Sequence, residues 1–371
     1  MTFDPTSLVK PSILQLKPYQ PGKPIAEVER ELGLTNIIKL ASNENPLGYS
    51  QTLPEKLTAA FVDIVRYPDG SCLALKSALA KQLNVSENRL LMGNGSEDVL
   101  RMLLQAFVWG DKHLIISQYG FVAYKILAQG LGITVKEIPE VNFHADLLAI
   151  QAAVTPTTGM IILANPNNPT GTYVTEKAFK AFLDNIPPEV LVVCDEAYYE
   201  YVIEKDYPQT ILWQEQYPNV VITRTFSKIY GLAGLRIGYG IAHESIVDLV
   251  NRIRQPFNVN YLGQIAATLA LADQDFVRKG ILLNEQGKKQ YYNKLTALRV
   301  HYIPTAGNFI LVEFKRPGKQ IYQALLEQGI IVRPMDPYGL DKYLRITIGT
   351  VQENDACLQS LEHILAKEVV V

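Results

Sequence analysis

The sequence predicts an α/β protein with a large domain built on a mostly parallel seven-stranded sheet flanked by helices, followed by a smaller α+β domain. Repeated short apolar strands alternate with segments of helical spacing, the pattern of strands covered on both faces. Three polar clusters, Asn165–Gly171, Asp195–Tyr198 and Ser227-Lys228, fall at the C-terminal ends of such strands, where parallel sheets place ligands. After Pro304 the order changes to strand, helix, strand, strand, as in a small α+β unit.

In chain order, Pro5, Pro11, Pro18, Pro21 and Pro24 leave little room for regular structure before a short helix, Ile25 to Leu32, stopped by Gly33. Residues 1–40 therefore read as an arm that crosses another surface. A polar loop, Ser42-Asn43-Glu44-Asn45-Pro46-Leu47-Gly48, opens the expected large domain, residues 41–260. Helices are expected over Leu53–Val65 and Leu73–Leu83, separated by the turn signal Tyr67-Pro68-Asp69-Gly70. Leu90 to Gly93 reads as a strand entering a helix through Gly93-Asn94-Gly95-Ser96, with Ser96 as the expected N-cap. A glycine-rich entry of this kind leaves backbone N–H groups aimed at one point, suited to an anion.

The remaining strands are read at Leu114–Ser117, Ile133–Ile138, Gly159–Leu163, Val190–Cys194, Val220–Thr223 and Ile237–Ile241, with helices between the earlier ones near 121–129, 146–153 and 176–183. A long helical region, Glu244 through Ala272 and on to Arg299, leaves the sheet domain near Asn260, so the expected small domain is 261–371. It continues with Asn308–Phe314, a helix Ile321–Gln328, Gly329–Arg333 and Leu344–Ile348.

With 48% hydrophobic and 19% charged residues in 371, the composition is that of an ordinary globular chain, and a net charge of −2 gives no electrostatic reason for a nucleic-acid partner. Cys72, Cys194 and Cys357 form no pairing or metal-ligand pattern, which points to a reducing compartment; no metal is expected. The first residues lack a basic region followed by an apolar core, and no apolar run approaches a membrane span, so a cytoplasmic location is expected.

The polar clusters become coherent as the parts of one cofactor site. Lys228, past a strand end and among glycines, is an amine placed to attack a carbonyl. An aldehyde cofactor with a pyridinium ring and a phosphate needs such a lysine and a carboxylate beside the ring nitrogen, here Asp195. It also needs partners for the ring hydroxyl, here Tyr198 and Asn168, and an anion cradle, here the Gly95-Ser96-Glu97 backbone with Ser227 and Arg236.

These motifs, together with Tyr67-Pro68 and Leu344-Arg345-Ile-Thr-Ile-Gly349, resemble in order and spacing the fold-type I pyridoxal-phosphate aminotransferases, whose fold is that of aspartate aminotransferase. The resemblance is closest to the branch acting on histidinol phosphate. It implies pyridoxal 5'-phosphate as cofactor and a ping-pong transamination between histidinol phosphate and 2-oxoglutarate, giving imidazole-acetol phosphate and glutamate in histidine biosynthesis. Lys228 is implied to hold the cofactor and then, as a freed amine, to move a proton between substrate and cofactor.

Further roles follow from the resemblance alone. Tyr119 is implied to stack on the cofactor ring, and Tyr67 to reach the cofactor phosphate of the neighbouring subunit in a homodimer. Arg345 is implied to clamp the substrate α-carboxylate, and Asn43 is a further candidate for substrate binding. Arg333 and Tyr19 are implied to hold the phosphate end of histidinol phosphate.

The same cofactor residues would serve an aromatic amino-acid aminotransferase or a decarboxylase acting on threonine phosphate. Gly93-x-Gly95 after a strand also invites a dinucleotide-binding reading, but Asp98 stands where that fingerprint needs its third glycine. A non-catalytic ligand sensor is the remaining alternative.

Overall fold

The computed structural model describes residues 3–19 and 21–366; residues 1–2 and 20 of the expected arm and 367–371 of the expected small domain lie outside the described residues. After Pro11–Leu14 (α1) and Ile25–Leu32 (α2), the arm ends in a two-residue strand, Ile38–Lys39 (β1). Leu53–Ala60 (α3) tightens into a 3-10 turn over Phe61–Asp63 instead of running on as α-helix to Val65, and Leu73–Leu83 (α4) follows.

The main sheet contains Leu90–Gly93 (β2), His113–Ser117 (β3), Thr134–Ile138 (β4), Thr158–Ala164 (β5), Leu191–Asp195 (β6), Val220–Thr225 (β7) and Gly238–Ile241 (β8). Its seven strands lie in the order β2-β8-β7-β6-β5-β3-β4. β3 to β7 pair in parallel, while β8 is antiparallel to both β2 and β7. Ser96–Phe107 (α5), Val122–Leu131 (α6), Leu147–Ala152 (α7), Glu176–Leu183 (α8) and Glu244–Asn251 (α9) connect or flank the strands.

Successive residues of a strand enter opposite layers, as the twofold alternation of a strand requires. Ile116, Ile162, Val193 and Val221 pack with α5 residues such as Leu103, whereas Ile115, Ile161, Val192 and Val220 pack with Phe179 and Phe182 of α8. Each fully buried aliphatic side chain of this kind contributes about 1.5–3 kcal/mol relative to exposure. At the start of α5, Gly95 occupies the capping position and Ser96 is the first helical residue with no side-chain cap bond, so the expected capping role of Ser96 is not found.

The long helical region resolves into α9, Tyr261–Ala272 (α10) and Gln274–Ala297 (α11). Ala266, Ala267 and Ala270 of α10 pack in one cluster with Ile222 and Ile241 of the main sheet, so that sheet's core runs past residue 260. α11 enters two cores: Val277 joins the cluster of the main sheet, and Tyr291 and Leu295 join that of the second sheet.

The second sheet comprises His301–Ile303 (β9), Phe309–Glu313 (β10), Arg333–Pro334 (β12) and Tyr343–Thr347 (β13), antiparallel in the order β12-β13-β10-β9. Gly318–Leu326 (α12) and Val351–Ala366 (α13) cover it. The run read as one strand, Gly329 to Arg333, divides: Ile330–Ile331 (β11) pairs in parallel with β1 of the arm, and β12 pairs with β13. Pro334, without an N–H group, suits the edge position of β12.

Candidate active site

The C-terminal ends of β3, β5, β6 and β7 open on one cavity of about 270 Å³. Into it project Ser96 and Glu97 from α5, Asn168 from the loop after β5, Asp195 and Tyr198 from the end of β6, and Ser227, Lys228 and Arg236 from the turn after β7. The arm contributes Tyr19 and Gly22, the Ser42 loop contributes Asn43, and β13 contributes Arg345. Residues from opposite ends of the chain thus meet around one amine.

Lys228 Nζ donates to Ser42 O at 3.2 Å and lies 5.6 Å from the centre of the Tyr198 ring. Burial, then the positive charge of Arg345 and, more weakly, of Arg236, pushes its pKa down to about 8, against the opposing pull of Glu44 and Asp195. Its turn is stapled to the Ser42–Gly48 loop, because Asn45 Nδ2 donates to Ile229 O at 2.7 Å. Gly231, at φ 70°, lies so close to Gly48 that a Cβ would stand 1.8 Å from Gly48 O.

Asp195 is 5% exposed. Tyr124 OH donates to its Oδ2 at 2.5 Å and Thr223 Oγ1 to its Oδ1 at 2.9 Å. Burial raises its pKa, and those two hydroxyls hold it back. Tyr198 OH accepts from Asn43 Nδ2 at 2.8 Å, and Thr347 Oγ1 donates to Asn43 Oδ1 at 3.0 Å, fixing the amide's orientation. Burial drives the Tyr198 hydroxyl up to about 12, so it remains a neutral donor.

Arg345 Nη1 donates to Asn168 Oδ1 and Nη2 to Ala41 O, both at 2.6 Å, and its Nε is buried with no partner among the described residues. Burial lowers its pKa. At the other end of the cavity, Arg236 Nη1 donates to Ser227 Oγ at 3.2 Å. Its Nη2 passes over Gly95, where a Cβ would come within 2.6 Å. Bare backbone at Gly95 therefore makes room for a guanidinium beside the first N–H groups of α5, whose dipole also favours an anion.

The structure does not bring Tyr119 to the cavity. Gly120 turns the chain, its N–H bonding Ser117 O at 2.9 Å, and the Tyr119 ring turns away to stand 5.8 Å from that of Phe143. Phe121, two residues on, lines the cavity in its place, with Tyr124 one helical turn further. Tyr67 is 81% exposed, stacked on Phe257 at 4.7 Å and outside the cavity. Tyr19, 49% exposed, lines the cavity and lies 5.5 Å from the guanidinium of Arg333. Arg333 is the register partner of Arg345 across β12 and β13, which sets the two cations on neighbouring strands.

Sequence reasoning also missed the pair beneath the site. Arg224 donates to Glu196 Oε2 from Nε at 2.9 Å and from Nη2 at 2.7 Å, both residues being buried, and the guanidinium covers the ring of Tyr199. Glu196 directly follows Asp195, so this ion pair anchors the end of β6 to β7.

The sequence model of the family described as aminotransferase class I and II matches residues 35–361. A histidinol-phosphate aminotransferase of Idiomarina loihiensis is 46% identical over 97% of this chain and 98% of its own length. The crystal structure of histidinol-phosphate aminotransferase from Sinorhizobium meliloti in complex with pyridoxal-5'-phosphate superposes with a TM-score of 0.87 at 27% identity, covering 97% of this chain and 98% of that one. An aspartate aminotransferase mutant of Thermus thermophilus, 19% identical over 96% of this chain and 99% of its own, shares the fold with a TM-score of 0.83.

Proposed function

This chain belongs to the class I and II aminotransferase family, and from that premise we propose that it transfers an amino group between histidinol phosphate and 2-oxoglutarate, giving imidazole-acetol phosphate and glutamate. The observation that carries the reading is the Lys228 amine, its pKa pushed down to about 8, on a cavity shared with Asp195 and Arg345.

The donor set suits pyridoxal phosphate. Arg236 fills the space over Gly95 that a Cβ would take, and with Ser227 and the start of α5 it forms a cradle suited to the phosphate. Asp195, a buried carboxylate held by two hydroxyls, suits a ring N–H, and Tyr198 and Asn168 suit the ring oxygen. Phe121, which lines the cavity where Tyr119 does not, would cover the ring. When bound, the cofactor supplies an aldehyde for the substrate amine and an electron-withdrawing ring that takes up the charge left on Cα.

The chain's own residues do the rest. Lys228 Nζ, which burial and the neighbouring cations push towards the neutral amine, takes the proton from the substrate Cα and gives one back to that carbon in the reverse half-reaction. Arg345 receives the α-carboxylate of glutamate through the donors it now directs at Asn168 and Ala41, together with its Nε, which has no partner among the described residues. Arg333 and Tyr19 receive the phosphate of histidinol phosphate, so that adjacent arginines serve a carboxylate in one half-reaction and a phosphate in the other. Asn43 fixes the orientation of the Tyr198 hydroxyl.

We further propose a homodimer in which the exposed Tyr67 reaches the neighbouring subunit's cofactor phosphate. No helix among the described residues is long and apolar enough to cross a membrane, and a cytoplasmic location is proposed with the sparse cysteines. The small domain is proposed to begin within α11, since α10 packs on the main sheet.

A substrate panel tests the reading. The expected result is fastest amino transfer from histidinol phosphate, slower transfer from phenylalanine and no carbon dioxide from threonine phosphate. Faster phenylalanine turnover, or release of carbon dioxide, would replace it with one of the two alternatives of the same fold.

A further inference from the structure

Glu140 stands two residues past the end of β4 and does not line the cavity. Its Oε1 accepts from Ser117 Oγ at 2.7 Å, from the Tyr119 N–H at 3.3 Å and from Asn167 Nδ2 at 3.3 Å. Its Oε2 is buried with no partner among the described residues. These donors belong to two separate loops. One leaves β3 and delivers Phe121 to the cavity; the other leaves β5 and delivers Asn168. Asn167 strengthens the junction, its Nδ2 lying 3.3 Å from Tyr119 O and 3.0 Å from Thr170 Oγ1.

A buried carboxylate at a loop junction is costly unless its bonds secure something. Here a single oxygen collects donors from both loops. Burial pushes the pKa of Glu140 up, while Ser117 and the Tyr119 N–H oppose it. In either protonation state Oε1 retains acceptor capacity.

We propose that Glu140 is a positioning residue, a brace that fixes the separation of Phe121 from Asn168 and, through the Asn168–Arg345 hydrogen bond, the aim of the substrate-binding guanidinium. Displacement of a binding group by about 1 Å costs on the order of 100-fold in rate. The brace therefore acts on the cofactor ring and on the carboxylate clamp together, without touching either. The inference rests on the function proposed above for its substrate arm only; its cofactor arm does not need that reading.

The test compares Glu140→Gln and Glu140→Ala in the holoenzyme. Gln keeps an oxygen for the same three donors and places an amide where the unpartnered oxygen lies. The expected result is that Glu140→Gln stays within about threefold of the parent in cofactor dissociation constant and in KM for glutamate, on the scale of one retained hydrogen-bond set. Glu140→Ala is expected to raise both by roughly tenfold or more, to lower kcat less, and to change the visible circular dichroism of the bound cofactor while far-UV dichroism is unchanged. Should the alanine chain fail to fold, Ser117→Ala removes one donor to the same oxygen and is expected to move the same quantities by roughly five- to tenfold. Unchanged cofactor dichroism and KM in Glu140→Ala, or in the fallback variant, would overturn the proposal. Equal damage from Gln and Ala would do so too. If the parent itself did not turn over glutamate, the proposed function would fail, and cofactor affinity and dichroism would still decide the role of Glu140.

Discussion

Asn168 accepts a 2.6 Å hydrogen bond from Arg345 across 177 residues of chain. The bond joins the loop after β5 in the main sheet to β13 in the second sheet, so the two sheets share custody of the candidate substrate clamp. A lysine at 345 would keep the charge and lose the planar pair of donors. Arg345→Lys is expected to lose about 1.5–3 kcal/mol, or roughly 10- to 150-fold in kcat/KM for glutamate, most of it in KM. Steady-state kinetics of each half-reaction measure this; an unchanged KM would remove Arg345 from the clamp.

Lys228 yields a pH-dependent prediction in the cofactor-free chain. Its pKa is lowered from 10.5 to about 8, chiefly by burial. Below about pH 8 the folded chain carries a charge that it disfavours; between 8 and 10.5 the unfolded chain binds the extra proton, so stability rises with pH there, and above 10.5 the penalty has gone. Lys228→Met should therefore abolish turnover while stabilising the apo chain by up to about 3 kcal/mol at pH 7. The gain should shrink as unfolding is repeated from pH 8 towards pH 10.5.

Of the two hydroxyls that oppose the rise of the Asp195 pKa on burial, that of Tyr124 contributes more. Tyr124→Phe keeps the ring packing and deletes that donor. Asp195 then titrates at higher pH, and since a ring N–H needs the carboxylate ionised, cofactor affinity should fall away at a higher pH than in the parent. At neutral pH the expected weakening is about tenfold, near the low end for a hydrogen bond to a charged group. Cofactor titration followed by fluorescence measures both effects.

Gly231→Ala probes the staple beside Lys228. Positive φ costs a non-glycine residue about 1 kcal/mol, and the added methyl would strike a backbone oxygen, Gly48 O, rather than a side chain able to move. A loss of several kcal/mol is expected, read as a drop of melting temperature with the Ser42–Gly48 loop lifted from the lysine turn. Parent-like melting and activity would show that the contact is not needed.

What could be read from the sequence follows from how local each signal is. Asp195 and Lys228 directly follow or closely trail apolar strands, and a parallel sheet gathers such positions at one edge, so their meeting was legible. Which aromatic after β3 faces the cavity was not, because the turn at Gly120 decides between Tyr119 and Phe121. Tyr124 has the spacing of an ordinary core residue on α6; only the tertiary placement of that helix brings its hydroxyl to Asp195 at the end of β6. The division of 329–333 between two sheets depends on β1, far away in the arm. By contrast the α13 signal is local, since Cys357, Leu361 and Ile364 recur at helical spacing.

α11 bridges the two cores, and two of its glycines give that bridge a gauge. A Cβ at Gly280 would come within 2.7 Å of Ile229 Cδ1, next to Lys228, and one at Gly287 within 2.3 Å of Ile348 Cγ2, three residues past Arg345. Seven residues make nearly two full turns, so both notches open on almost the same azimuth of one rod. The lysine and the arginine are thereby indexed to each other by helical phase. Inserting a single residue between the notches would swing the downstream one by about 100° and leave the two chemical halves of the enzyme, each intact, facing different ways.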